Sequence, residues 1–200
     1  GYFNDFMTYN SGDWTITTTE AGGGDASEAV TSSAGGALLI TNDAADNDAD
    51  FFNLKGEGFK LSSSKKAYFS ARFKVSDATQ SDFVMGLQIT DTTPLAVSDG
   101  VFFIKDDGDT NLDFIVEKDS TSTDTTAIHT MEDDTFVTTS FFIDPDRAAV
   151  YYSINNGTPV KVANTNLPDD EELTISFGIQ NGEAAAKTMT IDYVTAMVER

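Results

Sequence analysis

Between Ala67 and Thr90 the chain alternates with a period of two, and nothing else in the sequence limits its fold as strongly. In AYFSARFKVSDATQSDFVMGLQIT, Ala67, Phe69, Ala71, Phe73 and Val75 share one side, and Tyr68, Ser70, Arg72 and Lys74 share the other. Phe83, Met85, Leu87 and Ile89 repeat the pattern against Asp82, Gly86, Gln88 and Thr90. Successive side chains of a strand point to opposite faces, so each run is a strand with one apolar face. Two such runs around a polar loop predict a hairpin over a core.

The rest of the chain reads the same way. Val101–Lys105 and Leu112–Lys118 flank DDGDTN, whose Asp107-Gly108 suits a tight hairpin turn because Gly accepts positive φ. Ala148–Ile154 leads into Asn155-Asn156-Gly157, a second hairpin signal, and Pro159 then suits the start of an edge strand. Leu173, Ile175, Phe177 and Ile179 give the cleanest alternation. Thr188–Val198 is apolar on both sides and predicts a central strand, whereas Asp119–Thr126 reads as a polar turn. No stretch has a helical period, and Glu183–Lys187 is too short to hold a helix alone. About a dozen strands at spacings of about 8–12 residues predict an all-β fold, an antiparallel two-sheet jelly-roll sandwich. With no repeat or linker, residues 1–200 read as a single jelly-roll domain.

Charge excludes several partners. Thirty-three acidic residues against 12 Lys and Arg give a net charge of −21. Phosphate recognition needs Lys and Arg, so nucleic acid is not expected, and an anionic membrane surface is disfavoured too. Such a surface fits a protein working in salty water, where ions screen its self-repulsion, and equally a β domain with many Asp-rich turns. With no Cys, disulfides and thiol chemistry are absent.

Four groups of residues bear on chemistry. Asp43, Asp46, Asp48 and Asp50 crowd the run NDAADNDAD; they read as a solvated acidic turn or as oxygen ligands for calcium. Jelly-roll glycosidases that use a Glu-x-Asp-x-Glu strand are the natural enzymatic relatives. The nearest match is Glu117-Lys118-Asp119, which lacks the third acid. His129 is the single histidine, with no Gly-x-Ser-x-Gly elbow, and the sequence predicts a non-enzymatic protein. On the polar sides of their strands, Tyr68 and Tyr151 offer aromatic faces for a glycan or for a partner chain. Arg72 and Lys74 gather positive charge beside Tyr68, which suits an acidic partner or a neighbouring subunit.

Three segments together carry a resemblance. An aromatic N-terminal segment precedes a Trp-containing strand, FSARFKV sits mid-chain, and IDPDRAAVYYSINNGTPV precedes IDYVTAMV. This pattern resembles concanavalin-like and laminin-G-like jelly-roll domains, and the family's lectin residues are not carried over to any position here. FNDFMTYNSGDWTITTTEAGGG, DADFFNLKGEGFKL and FVMGLQITDTTPL are similar to small structural proteins of tailed phages of marine bacteria. That resemblance implies a virion protein on the outer capsid surface. It would be a decoration subunit cementing the major capsid protein as a symmetric homo-oligomer, with the Tyr2–Tyr9 segment or a strand edge making contact. A carbohydrate-binding, lectin-like module is the alternative.

Overall fold

A computed structural model describes residues 1–33 and 35–200. It contains sixteen strands and, among the described residues, no helix beyond three short 3₁₀ turns. The strands are β1 (Tyr2–Asn4), β2 (Trp14–Thr19), β3 (Ser27–Val30), β4 (Leu38–Thr41), β5 (Ala49–Leu54), β6 (Phe59–Lys60), β7 (Ala67–Val75) and β8 (Ser81–Gln88). They continue as β9 (Gly100–Lys105), β10 (Asn111–Lys118), β11 (Thr121–Thr130), β12 (Val137–Asp144), β13 (Ala149–Ile154), β14 (Val160–Ala163), β15 (Glu172–Asn181) and β16 (Thr188–Val198). They form two eight-stranded antiparallel sheets. Sheet A runs β14-β13-β12-β7-β16-β4-β3, with β1 also on β16. Sheet B runs β11-β10-β9-β8-β15-β5-β2, with β6 on β15. This is the expected jelly-roll sandwich.

One expectation is overturned. β7 and β8 are not a hairpin: β7 pairs with β12 and β16 in sheet A, while β8 pairs with β9 and β15 in sheet B. The loop between them crosses the sandwich, and Ala78 in that loop is buried. Alternation reveals which side faces the core, and a hairpin and a sheet-to-sheet arch bury the same side. Phe73 and Phe83 therefore meet edge to face across the core, 5.4 Å apart, instead of lying side by side.

β16 is the central strand expected, and three local details differ from the sequence reading or were missed by it. Asp119 and Ser120, both at positive φ, make the whole turn, and Thr121–Thr130 is an edge strand. Thr is β-branched and suits a half-solvated strand even when nothing apolar marks it. β5 was not foreseen, because it is buried on both faces and so lacks alternation. In β16 a register shift between Ile191 and Tyr193 switches the inward set from Met189 and Ile191 to Val194 and Ala196. The two apolar sides are thus one face interrupted by a β-bulge.

The core has two aromatic centres. Phe69 stacks on Phe141 at 5.2 Å, next to Phe103, Phe114 and Tyr152. At the other, Phe177 lies 5.0 Å from Trp14 and 5.2 Å from Phe52, with Phe6 against both Phe177 and Trp14. Phe6 is fully buried, so the Tyr2–Tyr9 segment is anchored in the protein's own core. Phe3 and Met7 are what it turns outward.

Candidate functional site

Pairing register puts the outward side chains of sheet A into rows. One row reads Lys161, Tyr151, Phe142, Tyr68, Met197 across β14, β13, β12, β7 and β16. The next reads Ser153, Ser140, Ser70, Thr195, Phe3. Adjacent strands lie about 4.8 Å apart, and rows on one face are about 7 Å apart. An aromatic strip therefore runs beside a hydroxyl strip. Tyr68, Phe142 and Tyr151 line an open groove of about 470 Å³ together with Ser140, Ser153 and Asp144. Arg147 stands at its rim, where the Tyr151 hydroxyl and then Asp144 hold its guanidinium protonated. Asp144 Oδ2 lies 3.6 Å from Arg147 Nε, so their charges offset.

The sequence foresaw Tyr68 and Tyr151 as outward aromatics, and the fold brings them into one groove. It missed Phe142, which stands between them. The signal was the polar side of β12, Thr138-Ser140-Phe142-Asp144, where one aromatic interrupts three polar residues.

Arg72 and Lys74 are not available in the way expected. Arg72 Nη1 donates to Asp192 Oδ2 at 2.7 Å, and its guanidinium sits 4.0 Å from the centre of the Phe136 ring. Lys74 Nζ donates to Asp134 Oδ1 at 2.9 Å. Neutralised in place, both cations belong to the lower rows and stand apart from the groove.

The four acids of the 43–50 run separate as well. Asp48 is buried, and its carboxylate accepts from the N–H groups of Ala21, at 2.5 Å, and Ala45, at 3.1 Å. Asp46 is exposed and Asp43 half-buried on the loop. Asn42 and Asn181 fasten this loop to β15: Asn42 Nδ2 donates to the carbonyls of Asp48 and Ile179, and Asn181 Nδ2 to those of Asp43 and Ala45. Among the described residues no three acidic or histidine side chains converge as a metal site. The loop's shape comes from carboxylate and amide caps on backbone groups.

Asp50 is a different case. It lies on the inward side of β5, fully buried, with Oδ1 accepting from Thr18 Oγ1 at 2.5 Å and Oδ2 unpartnered. Burial, and then the charges of Glu28 and Glu20, push its carboxyl up to about 7 against the Thr18 hydrogen bond. The Tyr9 hydroxyl is also buried without a partner, and burial with Glu28 and Asp50 pushes it up to about 12.

The outer face of sheet B carries an apolar patch. Ala49, Phe51, Val84 and Phe102 form a second buried cluster that Val97, Leu95 and Ile89 cover from the 89–99 loop. Gln88 Nε2 holds that loop by donating to the Pro94 carbonyl at 3.0 Å. Strands β8 and β9 approach closely: a Cβ on Gly86 would lie 2.5 Å from Phe102 Cα and 2.6 Å from the Val101 carbonyl oxygen. Gly86→Ala is expected to destabilise the protein by roughly 1–3 kcal/mol, measured by denaturant unfolding. At the end of this face, Glu117 is raised by burial and then by Asp124 and Asp99. Asp119 is in the following turn, with its N–H on Asp99, and Lys118 is bound to Asp169 and Asp170. Glu117 and Asp119 do not form a facing pair on one strand. His129 lines a separate small pocket near Glu132 and Asn155.

No protein-family model matches the sequence, and no curated protein matches it. Solved structures do match in shape. A Bacteroides ovatus GH16 mixed-linkage glucanase in complex with its product has a TM-score of 0.67 at 15% identity, covering 98% of this chain and 99% of that one. An endo-1,3-β-glucanase from Streptomyces sioyaensis has a TM-score of 0.67 at 13% identity, covering 99% and 95%. The carbohydrate recognition domain of Emp46p, in a potassium-bound form, has a TM-score of 0.64 at 12% identity, covering 96% and 94%. These likenesses establish a concanavalin-like jelly roll. The fold hosts both glucanases and lectin domains.

Proposed function

We propose that the chain is a carbohydrate-binding module that holds a glycan on the outer face of sheet A. The observation that carries this is the aligned strip of Tyr151, Phe142 and Tyr68 beside Ser153 and Ser140, all five lining one groove. A sugar ring has an apolar C–H face and a rim of hydroxyls. An aromatic strip beside a hydroxyl strip matches both, and polar groups in such a groove fix orientation. The carbohydrate proteins sharing the fold support the reading.

A glycan array probed with the wild type and with Tyr68→Ala and Tyr151→Ala tests it. The expected result is binding that survives chelator and falls at least tenfold in either variant, because no loop carboxylate cluster is needed. Absence of binding to every glycan would sink the reading.

A capsid decoration role on the outer virion surface, in contact with the major capsid protein, is a second proposal. Phe3, Met7 and Met197, each at least half exposed, are the apolar surface such a contact would use. Mass spectrometry of purified virions that finds no trace of this chain would remove it.

A further inference from the structure

Resting on the glycan reading, we infer that the ligand is a linear, uncharged, extended glycan. It lies across the strands with one ring over each of Tyr151, Phe142, Tyr68 and Met197. A second groove of about 330 Å³, lined by Tyr68, Phe142, Met197 and Lys66, continues the first. Both grooves share Tyr68 and Phe142, so together they make one trough that crosses β13, β12, β7 and β16. Four strands set its length at about 14 Å. Rings of an extended, equatorially linked chain repeat at close to one strand spacing, so ring and strand stay in step. A coiled chain would lose that match after one ring.

Of the hydroxyl strip, Ser140 and Ser153 are within reach of one edge of such a chain, whereas Ser70 is buried beneath it. Ser140 and Ser153 line the trough itself. Ser70 Oγ lies 3.3 Å from the Tyr193 hydroxyl, and Thr195 Oγ1 donates to the Tyr2 carbonyl, so both are fixed in orientation.

Charge selects against acidic glycans. The cations beside the trough are answered locally: Arg147 by Asp144 at 3.6 Å and Lys66 by Asp146 at 3.4 Å. Lys161 extends the strip beyond Tyr151 on the edge strand of a chain whose net charge is −21. A carboxylated or sulfated chain would enter a negative field without a free guanidinium to receive it.

Calorimetric titration with neutral cello-, laminari- and manno-oligosaccharides of two to six units, and with oligoalginates, reads this directly. Affinity for the extended cello- or manno-series is expected to exceed that for the coiling laminari-series, and to climb with each unit up to four and then level. Tyr68→Ala and Phe142→Ala should weaken the tetrasaccharide at least tenfold, Met197→Ala should weaken the tetrasaccharide but not the trisaccharide, and oligoalginate should bind at least tenfold more weakly in low salt. Denaturant unfolding of each variant confirms that it folds. Affinity already level at the disaccharide, preference for oligoalginate, or tight binding untouched by Tyr68→Ala and Phe142→Ala would overturn the inference and leave the glycan reading standing. A glycan array without any binding, together with a dimer that Tyr68→Asp dissolves in sedimentation, would overturn both and make the strip a contact between two copies.

Discussion

Asp50→Asn is expected to raise stability at pH 8 by roughly 2–4 kcal/mol while leaving it nearly unchanged at pH 4. The carboxyl titrates near 3.8 when free and near 7 in the fold, because burial and then Glu28 and Glu20 disfavour its charge. The folded chain therefore binds the proton more tightly than the unfolded one. Stability from this group is fully present below about pH 4. It declines as the pH rises towards 7 and is gone above that. An Asn amide keeps an oxygen for Thr18 and carries no charge, so the variant removes the decline. Urea unfolding of wild type and variant between pH 4 and 8 measures it. At about 2–4 °C per kcal/mol for a chain of this size, melting temperatures would separate clearly. Parallel curves would mean that Asp50 is better solvated than its full burial implies. The chain's net −21 adds its own repulsion in the same direction, and the difference between the two proteins cancels that part.

Phe177→Ala is expected to cost about 3–5 kcal/mol, the range for removing a buried aromatic from a packed core. Phe177 is fully buried and touches Trp14, Phe52 and Phe6 at once, so its loss leaves a cavity that rings from sheet B and the N-terminal segment cannot fill together. Phe142→Ala is the matched control. It removes the same side chain from a half-buried groove, where the expected cost is about 1 kcal/mol or less. Denaturant unfolding of the two variants separates a ring that builds the core from a ring that stays on the surface. Equal losses would make Phe142 part of the core and remove it from the ligand strip.

How far the sequence reached depends on the kind of information each element carries. The β9–β10 and β13–β14 hairpins were legible because Asp-Gly and Asn-Asn-Gly demand positive φ, which Asn155, Asn156 and Gly108 adopt. The core faces of β7, β8 and β15 were legible because a period of two needs only the residues themselves. Sheet membership was not, since it depends on which distant strand supplies the partner N–H and C=O groups. That is why β7 and β8 read as a hairpin. The candidate site shows the same limit: Tyr68 and Tyr151 can each be recognised as outward alone, but their alignment with Phe142 exists only in the pairing of β12 with both neighbours. Arg72 and Lys74 misled for a related reason, because Asp192 and Asp134, far along the chain, supply their counter-charges.

A ligand on the outer face of sheet A perturbs the backbone amides of that face. Amide chemical-shift mapping during titration with the best neutral tetrasaccharide tests it most directly. Shifts are expected to be confined to Tyr68, Ser70, Ser140, Phe142, Tyr151 and Ser153 and their strand neighbours. Shifts centred instead on Phe51, Phe102 and the 89–99 loop would place the ligand on sheet B and contradict it.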